Sequence, residues 1–270
     1  RLFFQHFRLG SRAVRENCDL LHCPGYIKGI SGSLPYILNV HDTIALRNPE
    51  LCTRSNHWHY RLFMPRSIRS AAMIITPSRS VKRDILERFS IEESRISVVC
   101  PGVEETFRPL DLQAEEMRAV REKYHLPERY ILFVGNIEPK KNLPFLLRAY
   151  HYLKSKGTSI PRLVICGTPA WGYRTFRETV GRLHLEKDVV ETGYVRRTDM
   201  PWIYNSALCL AFPSLHEGFG IPPLEALCCG VPVVTSRAGG LPESTGGKAY
   251  YVSLTDISEL GDAIRHVIGD

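Results

Sequence analysis

Short runs of uninterrupted apolar residues alternate along this chain with segments whose apolar positions recur at helical spacing. In the first third, residues 19–23, 36–40, 73–76 and 96–100 read as strands, with helices over residues 56–71 and 80–89 between them. The second of those helices is capped by Ser78 or Ser80. Strands that are apolar throughout and separated by helices predict an α/β protein whose parallel sheet is covered on both faces. After Val103 the chain turns polar and carries Pro109 before a helix that runs to Tyr124. Two domains are therefore expected, residues 1–108 and 109–270. The second contains strands at 130–134, 162–166, 189–192, 207–212, 231–235 and 249–252. Its helix over 142–155 sets Leu143, Leu146, Leu147, Tyr150 and Leu153 on one face, toward the sheet.

The stretch from Leu208 to Glu225, LCLAFPSLHEGFGIPPLE, carries the most chemistry. An apolar strand leads into a Gly- and Ser-containing loop, and a helix follows at Pro222-Pro223, where a missing N–H costs nothing. Gly218 and Gly220 lack Cβ, so their backbone N–H groups can approach an anion at the positive end of that helix. Glu217 and Glu225 bracket the loop. Beside a phosphate they need neutral hydroxyl partners, such as those of a sugar or ribose. The plainer alternative is a helix that opens with solvated acids to complement its dipole.

Lys140 and Lys141 precede the helix over 142–155, where their charge opposes the macrodipole and a bound anion would relieve the conflict. His41 and Asp42 follow directly on the strand 36–40, at the end where open α/β sheets place ligand contacts.

With these residues in place, the chain resembles the retaining glycosyltransferases of family four, which have two Rossmann-like domains in the GT-B architecture. The resemblance rests on the two glutamates seven residues apart and on motifs in family order. These are VHD from Val40, TPS from Thr76, CPGVEETFRP from Cys100, LFVGNIEPKKN from Leu132, TGYV from Thr192 and GVPVVTSRAGGLPE from Gly230. It implies transfer of a hexose-type sugar from a UDP or GDP donor to an acceptor hydroxyl with retained configuration, in polysaccharide or lipid-linked glycan synthesis. Catalytic roles fall to Glu217, Lys141 and His41. Substrate contacts fall to Lys140, Gly135, Asn136, Gly193, Tyr194, Val195, Ser214, Gly218, Phe219, Gly220 and Glu225. Glu217 would hold sugar hydroxyls, Glu225 the ribose diol, the two lysines the leaving diphosphate, and the backbone of Gly193 to Val195 the base. Where the family has Arg-Lys this chain has Lys140-Lys141, which loses the planar fork at the first position. Asp42 reads as a residue that fixes its loop, and Gly239-Gly240 as structural. No cofactor or metal is expected, because the cations do a metal's work. Relative to the family the chain is expected to lack a segment at each end, leaving the N-terminal domain incomplete. A non-catalytic nucleotide-sugar-binding module, and an epimerase or phosphorylase on the same architecture, stay open.

Composition adds the partners. The net charge is +7, from 35 Lys and Arg against 28 Asp and Glu. Leu51 to Arg83 holds no acid, yet it has Arg54, Arg61, Arg66, Arg69, Arg79, Lys82 and Arg83, interleaved with Trp58, Tyr60, Leu62 and Phe63. This is either a solvated helix face or a surface for an anionic membrane. No recognition motif for nucleic acid accompanies the charge. No run reaches the length of a membrane span, and the cytoplasm, including the inner face of its membrane, is the expected location. The eight cysteines form no zinc-like pattern and read as reduced, mostly buried thiols.

Overall fold

The computed structural model describes residues 6–157 and 160–269, in two units, Arg1–Pro101 and Gly102–Asp270. In the first unit the elements run α1 (Leu9–Arg15), β1 (Leu21–Cys23), β2 (Tyr36–Asn39), α2 (Ile44–Arg47), α3 (Arg54–Ser70), β3 (Met73–Thr76), α4 (Arg79–Arg88) and β4 (Ile96–Val98). The strands form one parallel sheet in the order β1-β2-β3-β4. Thr53 starts α3 by accepting from the Asn56 N–H at 3.3 Å, and Ser78 starts α4 by accepting from the Val81 N–H at 3.2 Å. Ser78, not Ser80, is thus the cap. Along α3, Met64, Ser67 and Ile68 turn inward, while Arg54, Trp58, Arg61, Leu62, Arg66 and Arg69 fall on the solvent side at helical spacing.

The second unit runs α5 (Glu115–Lys123), β5 (Tyr130–Val134), α6 (Leu143–Ser155), β6 (Leu163–Cys166), α7 (Tyr173–Arg182), β7 (Val189–Gly193), α8 (Met200–Asn205) and β8 (Ala207–Phe212), then α9 (Ile221–Cys228), β9 (Val233–Thr235), α10 (Leu241–Ser244), β10 (Tyr250–Tyr251) and α11 (Ile257–Gly269). Its six strands are all parallel, ordered β10-β9-β8-β5-β6-β7. The chain moves outward from β5 through β6 to β7, then crosses back to lay β8 on the other side of β5. That reversal is a topological switch point, where open α/β sheets bind ligands, and the loops leaving the carboxyl ends of β5 and β8 meet there. Tyr130, Ile131, Leu132 and Phe133 of β5 and Cys209 to Phe212 of β8 are fully buried, as helices on both faces require.

The division falls after Pro101, before the expected 108/109 boundary, because the connecting segment packs on the second unit. Phe107 is 4% exposed and lies edge-on to Tyr204 with ring centroids 5.9 Å apart. The strand expected at 231–235 starts at Val233, following Pro232, which has no N–H for the ladder. The thiols divide more evenly than the sequence suggested. Cys23, Cys166, Cys209 and Cys229 are buried and Cys52 partly so, whereas Cys18, Cys100 and Cys228 are exposed. Burial pushes the Cys166, Cys209 and Cys229 thiols up to about 12, which keeps them protonated and poor nucleophiles at neutral pH.

Candidate functional site

The two loops at the switch point of the second unit carry most of the expected site residues. After β5, Gly135 donates its N–H to the Cys166 carbonyl at 2.8 Å, and the exposed Asn136 accepts from the Thr168 hydroxyl at 2.8 Å. The chain then makes a 3₁₀ turn over Pro139–Lys141, separated from α6 by Asn142 in the left-handed region at φ 55°. The lysines therefore end a turn of their own and do not begin α6. Lys141 still directly precedes Asn142, the N-cap of α6, and its charge is met by a carboxylate from the other loop.

After β8, the Leu215 N–H donates to the Lys140 carbonyl at 2.7 Å and ties the two loops together. Across this tie the Lys141 ammonium donates to Glu217 Oε1 at 2.6 Å, with both residues 8% exposed. The ammonium also lies 4.7 Å from the centre of the Phe212 ring. Lys140 takes a separate partner, its Nζ 3.6 Å from Glu138.

The loop holding Glu217 is clamped from behind by the start of α10. Gly240 donates its N–H to the Glu217 carbonyl at 2.8 Å. A Cβ on Gly239 would lie 2.0 Å from the Glu217 carbonyl oxygen, and one on Gly240 2.3 Å from that of Gly218, so only glycine lets the backbones meet. The pair expected to be structural thus fixes the loop that presents Glu217. Gly220 takes φ 99° ahead of Ile221, and no side chain caps α9. Ser214 is wholly buried; its carbonyl accepts from Ser236 at 2.6 Å, and its hydroxyl has no hydrogen-bond partner among the described residues. Phe219 is also buried.

Glu225 is not a solvated acid either. It is 3% exposed, with Oε1 paired to the Arg197 guanidinium and Oε2 accepting from the Tyr204 hydroxyl at 2.8 Å. Arg197 also donates to Glu104 at 3.0 Å and stacks its guanidinium 4.3 Å from the Phe107 ring centre. Burial alone would lower the Arg197 pKa, but the bonds to Glu225 and Glu104 outweigh it and raise it. The Tyr204 hydroxyl is held well above its ordinary range, first by burial and then by the adjacent Glu225 charge. Sequence reasoning missed Arg197, Tyr204 and Glu104. The available signal was the TGYV motif followed at once by Arg196-Arg197, since a buried glutamate demands a cation.

At the end of β7, Gly193 has φ 66°, its carbonyl accepts from the Gly167 N–H at 3.1 Å, and Tyr194 is 72% exposed while Val195 is buried. In the first unit, His41 Nε2 lies 2.7 Å from the Pro24 carbonyl and its ring meets Tyr26 edge-on. Asp42 accepts from the Tyr26 hydroxyl at 3.0 Å and the Ile44 N–H at 3.1 Å, holding its loop as the sequence suggested. Among the described residues, no group of three or more His, Cys, Asp and Glu side chains gathers as a metal site, and no helix is long and apolar enough to cross a membrane.

At the switch point, then, Lys141 and Glu217 set a cation and a carboxylate side by side. Residues 115–270 match the family model for glycosyl transferases group 1, and residues 1–107 that for glycosyltransferase family 4. The chain belongs to the group 1 glycosyltransferases. This glycosyltransferase is 29% identical over 272 residues to the O-antigen chain mannosyltransferase B of Escherichia coli, covering 98% of the chain and 69% of that relative. It is also 29% identical over 233 residues to the serotype-specific mannosyltransferase WbdA of Escherichia coli, covering 85% of the chain and 29% of that much longer relative. The fold matches that of Anabaena HepE in complex with UDP and glucose, with a TM-score of 0.75 at 20% identity, over 97% of this chain and 72% of that one. The two units thus have the Rossmann-like folds of the GT-B class, as the resemblance implied.

Proposed function

We propose that this glycosyltransferase moves a hexose-type sugar from a UDP or GDP donor to a hydroxyl of a glycan or lipid-linked acceptor, with retention at the anomeric carbon, in polysaccharide or lipid-linked glycan synthesis. The observation that carries the reading is the Lys141–Glu217 pair at the switch point. A nucleotide sugar has a phosphate and a hydroxyl-bearing ring on either side of one bond, so its site needs a cation and a hydroxyl acceptor side by side. Lys141 has three donors, of which Glu217 uses one, and Glu217 has lone pairs to spare for sugar hydroxyls. As the bond from the anomeric carbon to the diphosphate oxygen breaks, that oxygen keeps the electron pair. Lys141, Lys140 and the N–H groups of residues 218–220 stabilise its charge. The acceptor oxygen bonds to the anomeric carbon on the same face and gives its proton to the departing phosphate. Glu225, held by Arg197 and Tyr204, receives the ribose diol, and the backbone of Gly193 to Val195 the base. His41 near the sugar rests on the resemblance alone.

Calorimetric titration with UDP, GDP and ADP, with a chelator present, tests this. Micromolar binding of UDP or GDP, weakened in both Lys141→Ala and Glu225→Ala, is expected. Folded protein that binds none of the three would overturn the reading.

A further inference from the structure

In the first unit a cavity of about 350 Å³ opens at the carboxyl end of β1, the end at which open α/β sheets bind ligands. Tyr26, in the loop that leaves β1, lines it together with Ser55, Asn56, His59 and Tyr60 from the first turns of α3. Contacts among the rings show that these residues gather at one place. Tyr60 meets Tyr26 edge-on at 5.1 Å between ring centroids and His59 at 5.4 Å, and Tyr26 meets His41, at the end of β2, at 5.5 Å. The row is fixed from behind, because the Tyr26 hydroxyl is spent on Asp42, which also holds the Ile44 N–H.

The lining is uncharged. Among the described residues it includes no lysine, arginine, aspartate or glutamate, and burial and the nearby His6 lower the His59 pKa, so that ring is neutral at neutral pH. A phosphate would find no cation here, and an acyl chain would cover the Asn56 amide and the His59 nitrogens without pairing them. The ligand that suits both the rings and the polar groups is a pyranose, a neutral ring with C–H groups on its faces and hydroxyls around its edge. The C–H groups pack on the electron-rich faces of aromatic rings, and the hydroxyls pair with the donors and acceptors of Asn56, Ser55 and His59. A volume near the lower limit of small-molecule pockets suits a terminal sugar and not a long stretch of polymer. We propose that this cavity binds a neutral hexose residue of the acceptor, through Tyr26, Tyr60, His59 and Asn56, and disfavours acidic or phosphorylated sugars. Its assignment to the acceptor rests on the proposed transfer reaction, whose donor diphosphate needs the cations of the second unit while the other substrate needs only hydroxyl recognition.

Ligand-observed NMR titration of the whole chain with methyl α-mannoside, methyl α-glucoside and methyl α-galactoside, and with methyl α-glucuronide as the charged counterpart, tests this. Saturation transfer to the ring protons of at least one neutral hexoside is expected, with the glucuronide well below it. Its Kd should rise about tenfold in Asn56→Ala and in Tyr60→Leu, the size of one lost hydrogen bond or aromatic contact, and about twofold or less in Tyr60→Phe, which keeps the ring. Asn56 is exposed, so its variant keeps the fold. No signal from any neutral hexoside, a signal untouched by Asn56→Ala and Tyr60→Leu, or equal binding of the glucuronide overturns the proposal. UDP and GDP titrations of the same variants should match the parent chain. Nucleotide binding without hexoside binding would sink this inference alone, whereas hexoside binding at these residues without nucleotide binding would keep the sugar site and sink the donor reading.

Discussion

In the second unit the cations of Lys141 and Arg197 meet Glu217 and Glu225, whereas in the first unit Arg61, Arg69 and Arg88 stand exposed around an apolar floor with no acid paired to them among the described residues. The difference follows from solvation. A charge taken out of water must find an opposite charge or hydrogen bonds, while an exposed guanidinium is hydrated and can wait for a partner. The inward pairs are accordingly part of the fold, and removing one member strands the other. The outward cluster can be stripped with little effect on folding. Each variant below asks whether a given charge sits on the inward or the outward side of that contrast.

The largest effect is expected at Lys141. On the proposed function, Lys141→Met takes the cation from the leaving diphosphate and should lower the transfer rate by about 10²–10³-fold, as loss of a single oxyanion donor does. It also leaves Glu217 buried without a cation, which costs about 3–5 kcal/mol of stability. The two effects can be separated by adding Glu217→Gln. Urea unfolding should show that the double variant regains most of the stability, while single-turnover assays show no regain of rate. A double variant that recovers both would mean that Lys141 acts only as the counter-ion of Glu217.

A smaller effect is expected at Arg197, whose side chain is 46% exposed and whose charge is therefore partly screened. Arg197→Ala should lower stability by about 1–2 kcal/mol, because Glu225 keeps its Tyr204 bond and water enters where the guanidinium stood. If Arg197 orients Glu225 toward the ribose, donor affinity should fall several-fold with turnover at saturation unchanged. Unchanged affinity would leave Arg197 a purely structural partner.

What the sequence made legible was largely local. Apolar runs located β3, β5 and β8 to the residue; in β5 and β8, buried on both faces, no polar position blurs the ends. A serine cap at 78 or 80 and the proline start of α9 were also legible, since those signals act within one turn, and the structure selects Ser78. Partners distant in sequence were not. Lys141 and Glu217 are 76 positions apart, and Arg197 and Glu225 28 apart. Only the crossover that lays β8 beside β5 shows that the first pair meets. The separate turn ahead of α6 was hidden for a related reason. One left-handed residue, Asn142, detaches the lysine turn from the helix, and a single backbone angle leaves little trace in composition.

The difference that reads the inward network most directly concerns Tyr204. Its folded pKa is raised well above the ordinary value of 10.0 by burial and by Glu225. A group of this kind contributes its stability fully below its unfolded pKa and loses that contribution as pH rises toward the folded value. Above about pH 10 the unfolded chain ionises this tyrosine and the folded chain does not, so stability should fall by up to about 1.4 kcal/mol per pH unit from this residue alone. Tyr204→Phe removes the slope but also the bond to a buried carboxylate, worth about 1.5–3 kcal/mol at neutral pH. The parent and the variant should therefore differ most near neutrality and converge between about pH 11 and 12, other tyrosines contributing equally to both. Urea midpoints measured at fixed temperature across that range decide it. Curves that stay parallel would mean that Tyr204 titrates alike in the folded and unfolded chain, and that Glu225 is more open to water than its 3% exposure implies.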